Sequence, residues 1–467
     1  MEQTEFEAMA GPQTRTERDS MGEMEVPIDA KWAAQTQRAV LNFPVSGLRM
    51  SEEFVRSLAL VKWACAQANK ELGELPEDLA DAISEAAFGI YQGEHLDQFP
   101  VDVFQTGSGT SSNMNANEVI AHLASGILGS EVHPNDHVNR GQSSNDVIPT
   151  TMHVAAVMQL EHELVPALGH LHDCLTAKAA EFDDVVKVGR THLQDAVPIR
   201  LGQEFGGYAR QVALAKTRVA AAVPGLLELA QGGTALGTGL NAHKDFGEKV
   251  AFYLEQATGH AFREAEDHFE AQAARDAYVF AAGALDTIAA SFMKIANDVR
   301  LLASGPDCGL GEIQLPAIQP GSSIMPGKVN PVICEAVTMV GAHVTGNNLA
   351  VRTGGQWGQL DLNVMLPMMA HNLLESIRLL AAAARVFVDN TLAGTTANVE
   401  KATGNVERSI SMATALNPLI GYDKAAEIAK TANKSGRTVR EVAYEISGLT
   451  KEQVDEALEP RKQTEHA

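Results

Sequence analysis

From Ala271 to Ser304 the chain has no proline and one glycine, Gly283. Within that stretch apolar residues return at alternating steps of three and four: Tyr278, Ala281, Leu285, Ile288, Phe292, Ile295, Val299 and Leu302. Such a period is a heptad seam, and one this long commits the segment to a single helix packed against others. Val279, Ala282, Ala289, Ala290 and Met293 flank the seam. A helix apolar nearly all round is buried on several sides, more than a small domain can surround. It is either the core of one large bundle or part of a bundle shared between subunits. The shared bundle is expected.

The rest of the chain fits that frame. Thr150–Phe182 and Leu201–Leu229 read as long helices, with kinks expected at Pro166 and Pro224. Ser51–Leu72 is amphipathic, opened by Ser51 with Glu52 and Glu53 in its first turn, as a helix N-terminus requires. Glycine and proline break the pattern over 305–331; helices resume at Val332 and around Met365–Val388. Residues 1–20 are polar and read as frayed, with helix starting near Ala30. Residues 100–146 are rich in Gly, Ser, Thr and Asn and read as a loop-bearing functional region. Asn113, Asn115 and Asn117 read as backbone-bonding groups of an unusual turn. At roughly 150 residues per domain, a chain of 467 residues makes about three domains. The expected division is 1–140, 141–398 and 399–467, the last a small helical domain. The fold class is all-α.

Bulk chemistry excludes several roles. A formal net charge of -23 disfavours nucleic acid and anionic lipid as partners. Cys65, Cys174, Cys308 and Cys334 form no CxxC pair, so neither a disulfide framework nor an iron–sulfur site is expected. No run of about 18 uncharged apolar residues exists, and Met1–Ser20 lacks the apolar core of a signal peptide. A cytoplasmic protein that neither spans nor binds a membrane is expected.

Four polar segments carry the chemistry. They are Gln105–Glu118 (QTGSGTSSNMNANE), His133–Asp146 (HPNDHVNRGQSSND), Gly189–Asp195 (GRTHLQD) and Gly321–Pro331 (GSSIMPGKVNP). Small hydroxyl and amide groups on glycine-rich backbone supply many neutral donors in little space, which suits a carboxylate. Lys328 adds a full positive charge, and His192 is the residue type suited to moving protons. Together they suit a small dianion and acid–base chemistry. Gly321–Lys328 is not a phosphate-binding loop: five residues separate its glycines, and Val329 stands where Ser or Thr is needed. His170, His172 and Cys174 are not a metal site, because His172 faces away from the other two on a helix.

Gly321–Pro331 resembles the signature of the fumarase/aspartase superfamily. The other polar segments resemble that superfamily in the expected order, as do Arg15–Glu23 and Ala415–Glu427. The likeness covers nearly the whole chain and is nearest to the iron–sulfur-independent class of fumarate hydratases. Gly327 and Ser108 stand where aspartate ammonia-lyases typically carry alanine. The resemblance implies a three-domain fold whose central long-helix bundle is shared in a homotetramer. It implies reversible hydration of fumarate to L-malate, with no metal and no organic cofactor. Ser322 is then the base at C3, and His192, oriented by Glu335, handles water at C2. Ser108, Thr110, Ser143, Ser144, Asn145, Thr191, Ser323, Lys328 and Asn330 hold the substrate. His133, Asn135 and Asp136 match a second, non-catalytic carboxylate site, although Ser130 and Glu131 stand where relatives often have basic residues.

Taken singly, each residue has a plainer reading. His192 reads as a surface or structural histidine, Ser322 as a loop hydroxyl or N-cap, and Glu335 and Lys328 as solvated charges. His133-Pro-Asn-Asp136 reads as a turn. Joint occurrence in matching register favours the catalytic reading over the plain one for all but that last segment.

Overall fold

The computed structural model describes residues 13–465. The chain is mostly helical, with a few short strands. A hairpin opens it, β1 (Thr14–Asp19) pairing antiparallel with β2 (Gly22–Pro27). Then come α1 (Ala34–Asn42), α2 (Glu52–Glu71), α3 (Glu77–Gln92), α4 (Thr110–Leu128), α5 (Ser144–Gln159) and α6 (Val165–Glu181). A second hairpin, β3 (Val186–Thr191) and β4 (Gln194–Arg200), leads to α7 (Leu201–Leu226), α8 (Phe246–Thr258) and α9 (His268–Ala273). Three long helices follow: α10 (Asp276–Leu302), α11 (Val332–Gly355) and α12 (Leu366–Phe387). Short helices close the chain, among them α13 (Val399–Val406), α14 (Tyr422–Ser435), α15 (Val439–Ile446) and α16 (Lys451–Ala457).

Two compact units interleave along the sequence. Of the described residues, the first takes those up to Val165, Arg218–Thr287 and His343–Leu379. The second takes Pro166–Thr217, Ile288–Ala342 and those from Leu380 onward.

In the first unit α2 packs against α3, α5 and α8. Ser51 caps α2 as expected, its side chain accepting from the Phe54 N–H, a contact worth about 1 kcal/mol. Of the residues expected to be frayed, 1–12 lie outside the described range, and 14–19 instead form β1. Arg15 stitches that hairpin down, donating to the carbonyls of Pro27, Ile28, Ala30 and Trp32. Arg38 pairs with Asp19 at 2.8 Å. The hairpin is held by polar groups, so it shows no apolar alternation. Asn113, Asn115 and Asn117 likewise sit in no turn; they are buried inside α4. Asn113 and Asn117 both donate to Asn139 Oδ1, and Asn115 donates to the Gln98 carbonyl. A helix can bury amides when they bond one another. The segment 100–146 is therefore half helix, with loops at its ends.

All eight seam residues of α10 are buried. The flanks are less uniform: Ala282 and Ala289 are buried, Val279 and Met293 half-buried, and Ala290 exposed. One side of this helix thus stays open in the single chain, where Phe280 is 57% exposed. By length and composition α10 is apolar enough to cross a membrane. Its buried seam marks it as a core helix instead. Apolar side chains also stand open on α11, at Met339 and Leu349. The segment before Pro166 winds into a π-helical turn, Leu160–Leu164, where a kink is expected.

In the second unit α13 packs against β3. The C-terminal helices build a core from Val406, Leu416, Ile428, Val442 and Val454 with Val186 and Val188 of β3. Those helices are therefore not self-contained, since the hairpin supplies part of their core.

Candidate active site

In the first unit the hydroxyl and amide residues form one connected cluster. Gly107 brings its backbone against that of Val364, where a Cβ would sit 1.9 Å from a carbonyl oxygen, and its own carbonyl accepts from Leu366 N. This close approach, open only to glycine, fixes the start of the loop. Ser108 Oγ lies 2.8 Å from Thr110 Oγ1, which lies 2.7 Å from Ser144 Oγ. Ser143 begins α5 with a capping box: its side chain accepts from Asn145 N, and Asp146 accepts from Ser143 N at 2.9 Å. Asn145 donates to the Ala235 carbonyl at 2.7 Å. Ser108, Thr110, Ser143, Ser144 and Asn145 thus lie together at the start of α4 and α5.

Behind this cluster are two buried charges without an obvious sequence signal. Asp146 is fully buried and also accepts from the backbone of Gly232 and Thr234. Burial pushes its pKa up to about 7, against those three N–H groups. Lys62, on α2, is fully buried and donates to Asn139 Oδ1 at 2.9 Å and Gln142 Oε1 at 2.8 Å. Burial pulls its pKa down to about 7. Lys62 reads as one more charge on an amphipathic helix, so nothing in its local sequence distinguishes it.

His133, Asn135 and Asp136 open a π-helical turn, Pro134–Val138. His133 Nδ1 accepts from the backbone of Asn135 and Asp136 at 3.2 and 3.0 Å. The turn closes on itself through the imidazole, and the side chains of Asn135 and Asp136 point to solvent.

In the second unit the remaining residues lie on two exposed loops. Thr191 and His192 are at the tip of the β3–β4 hairpin. Thr191 pairs with Gln194, so His192 and Leu193 form a two-residue loop. Both take positive φ, 54° and 59°, the sense that two-residue hairpins favour. A bulge lies between Val188 and Arg190, at Gly189, where a Cβ would lie 2.7 Å from the Val197 carbonyl oxygen. Arg190 then turns inward to a bidentate pair with Glu312, 2.8 and 3.1 Å. Glu312 is fully buried, and the Lys187 ammonium lies 3.2 Å from it. The base of the hairpin is therefore anchored by buried charge.

Ser322, Ser323, Lys328 and Asn330 occupy a loop closed at its neck. Gly321 N donates to the Lys328 carbonyl at 2.8 Å, and Asn330 Nδ2 donates to the Gly321 carbonyl at 2.6 Å. A Cβ on Gly321 would meet the Lys328 carbonyl oxygen at 2.5 Å. Inside the loop, Ser322 Oγ accepts from the backbone N–H groups of Ile324 and Met325, at 3.2 and 3.0 Å. Ser323 and Lys328 are exposed. Glu335 stands in the first turn of α11, exposed. Among the described residues, no hydrogen bond or ion pair within the chain joins Glu335 to His192.

The lyase family model matches residues 22–346, and the fumarase C C-terminus model matches 412–465. The chain is 57% identical over 455 residues to fumarate hydratase class II of Halobacterium salinarum, covering 96% of this chain and 97% of the relative. It is 54% identical over 454 residues to that of Methylorubrum extorquens, covering 96% of both. The crystal structure of recombinant class II fumarase from Schistosoma mansoni superposes with a TM-score of 0.94 at 41% identity, covering 96% of this chain and 99% of that one. With matches of that length in both sequence and fold, the chain belongs to the lyase family, among the class II fumarate hydratases.

Proposed function

We propose that this protein interconverts fumarate and L-malate by reversible hydration, a step of the tricarboxylic acid cycle. The observation that carries this reading is the Gly321–Asn330 loop, in a chain more than half identical to class II fumarate hydratases. The Ser322 oxygen already accepts two backbone N–H groups there. A serine is a poor base until its alkoxide is stabilised, and paired N–H donors do that.

Ser322 takes the proton from C3 of malate. The electron pair left behind delocalises into the neighbouring carboxylate as an aci-carboxylate. Lys328, Asn330, Ser323, Thr191 and the Ser108, Thr110, Ser143, Ser144 and Asn145 cluster hold the two carboxylates and the developing charge. His192 protonates the departing C2 hydroxyl, which leaves as water, and the C2–C3 double bond closes. Run backwards, His192 removes a proton from water as it adds to C2. Base and acid act on opposite faces, so addition is anti. Glu335 orients the His192 imidazole, as a carboxylate does in other acid–base pairs.

The working form in this reading is a homotetramer. The open apolar side of α10 and the exposed Met339 and Leu349 of α11 are what a shared bundle covers. Glu335 then reaches a His192 from another chain. The division 1–140, 141–398 and 399–467 belongs to the same picture, the middle part supplying the long helices α5–α7 and α10–α12. His133, Asn135 and Asp136 form a second, non-catalytic carboxylate site. The protein works in the cytoplasm, free of membrane and nucleic acid, with no organic cofactor.

The test is absorbance of the fumarate double bond after L-malate or fumarate is added to purified, chelator-treated protein, with aspartate in parallel. Malate turnover alone supports the hydratase. Aspartate turnover alone replaces it with an ammonia-lyase. Full activity after dilution to monomer would remove the shared site.

A further inference from the structure

Lys62 has no place in the chemistry above, yet it is among the largest fully buried side chains of the molecule. A buried ammonium is costly unless each N–H finds an acceptor. Among the described residues it reaches no carboxylate within hydrogen-bond distance; its acceptors there are the neutral side chains of Asn139 and Gln142. Both belong to the short stretch running from the π-helical turn to the substrate-holding residues.

That stretch is tied to itself through the same two side chains. Asn139 Nδ2 donates to the Gln142 carbonyl at 3.1 Å, and Gln142 Nε2 donates to the carbonyls of Val138 and Arg140. Asn139 Oδ1 receives three donors at once: the Lys62 ammonium, Asn113 Nδ2 and Asn117 Nδ2. Three donors on one amide oxygen tie α2 and α4 to this stretch at a single point. From Gln142 the backbone passes directly to Ser143, where Asp146 takes over. Its carboxylate grips Ser143 N on one oxygen and Gly232 N and Thr234 N on the other. A buried cation thus fixes the approach to the loop and a buried anion fixes its exit. Asp146 favours the charged form of Lys62, so the two stabilise each other across the segment.

We infer that Lys62 is a positioning residue: its buried ammonium holds Asn139–Gln142 in the shape that presents Ser143, Ser144 and Asn145 to the dianionic substrate. This rests on the hydratase reading for what is bound, and on the geometry alone for what is held. Lys62 touches no reacting atom. Its contribution is to substrate capture, not to proton transfer.

The test uses the full-length protein carrying Lys62→Met, which keeps the volume and removes the charge and donors. The KM for L-malate rises on the order of ten- to a hundred-fold, as for loss of charge-assisted hydrogen bonds, with kcat within about threefold of the parent. Backbone amides of 139–146 exchange faster with solvent, while those of α2 and α3 keep their protection. Gln142→Leu, at a half-buried site that leaves the core intact, gives the same pattern more weakly. Unchanged KM and unchanged exchange in 139–146 would overturn the inference. So would a fall in kcat at constant KM, or faster exchange across the whole unit. If Lys62→Met fails to fold, Gln142→Leu decides by the same readouts. If the parent turns over no malate, the hydratase reading falls, and the exchange pattern alone decides whether Lys62 holds the segment.

Discussion

The two groups of candidate site residues are built on opposite plans. In the first unit Ser108, Thr110, Ser143, Ser144 and Asn145 are bonded to one another or to backbone, over a floor with two buried charges. In the second unit Ser322, Ser323, Lys328, Thr191 and His192 sit on loop tips, mostly exposed and with few side-chain partners. There the order lies one step back, in the Gly321–Asn330 neck and the Arg190–Glu312 pair. The first plan suits groups that must stay still to receive two carboxylates. The second leaves its side chains mostly open to solvent, where Ser322 and His192 carry protons and Ser323, Lys328 and Thr191 add donors in the proposed reading. Side chains locked to one another and side chains carried on anchored loop tips are thus ordered by different local physics.

Four substitutions sharpen or break this contrast. Ser322→Ala should lower kcat on the order of a thousandfold and leave dicarboxylate binding in place, since only proton transfer is lost. Near-parental kcat would take Ser322 out of the chemistry. Glu312→Gln leaves Arg190 and Lys187 short of a buried partner, which costs on the order of 3 kcal/mol of stability. Urea unfolding reads that directly, and kcat should fall more than KM changes, because the hairpin carrying His192 loosens. A variant as stable as its parent would show that the hairpin is held by something else. Ser144→Ala, in the fixed half, should raise KM about tenfold with kcat nearly kept, the effect of one hydrogen bond. A fall in kcat instead would blur the division between holding and reacting groups.

The smallest effect concerns acid stability of the first unit. His153 is buried, with Nδ1 at 2.7 Å from the Glu228 carbonyl and its ring stacked on Tyr278. Burial, and then the nearby charge of Arg275, hold its pKa down to about 3. An unfolded histidine titrates near about 6.5. Between those values the unfolded chain binds the extra proton, so stability is lost as pH falls from about 6.5 toward 3. His153→Gln keeps an amide donor for the carbonyl and removes the titration. Its urea midpoint should fall less steeply with acid, by up to one proton's worth of slope. An identical slope would mean that other groups carry the acid response.

What was legible in the sequence follows from what each element is made of. The α10 seam is apolar with a strict period, and each of its positions is buried. Ser51 and Val332 start helices because capping and the preceding proline are local signals. The opening hairpin was not legible, because Arg15, Arg38 and Asp19 hold it rather than an apolar face. Asn113 and Asn117 suggested a turn for the same reason: buried amides look like loop chemistry until Asn139 arrives from elsewhere in the chain. The four polar segments were legible because their residues cluster along the chain; the structure joins the first two through Thr110 and Ser144 and carries the others on separate loops. Lys62 and Glu312 were not, because each lies far from the segment it holds and nothing local separates it from a solvated charge.

Leu193 leaves one more consequence. It sits next to His192 at a φ of 59°, and its side chain is 70% exposed. A leucine there costs about 1–2 kcal/mol that glycine would spare. Anyone seeking a more heat-tolerant form would be drawn to this position first. Relaxing it would also free the turn that sets where the His192 ring stands, so gained heat tolerance would trade against the role proposed for that imidazole. The price of that tip's tension is thus an engineering boundary: it marks where hardening the chain and keeping its chemistry part ways.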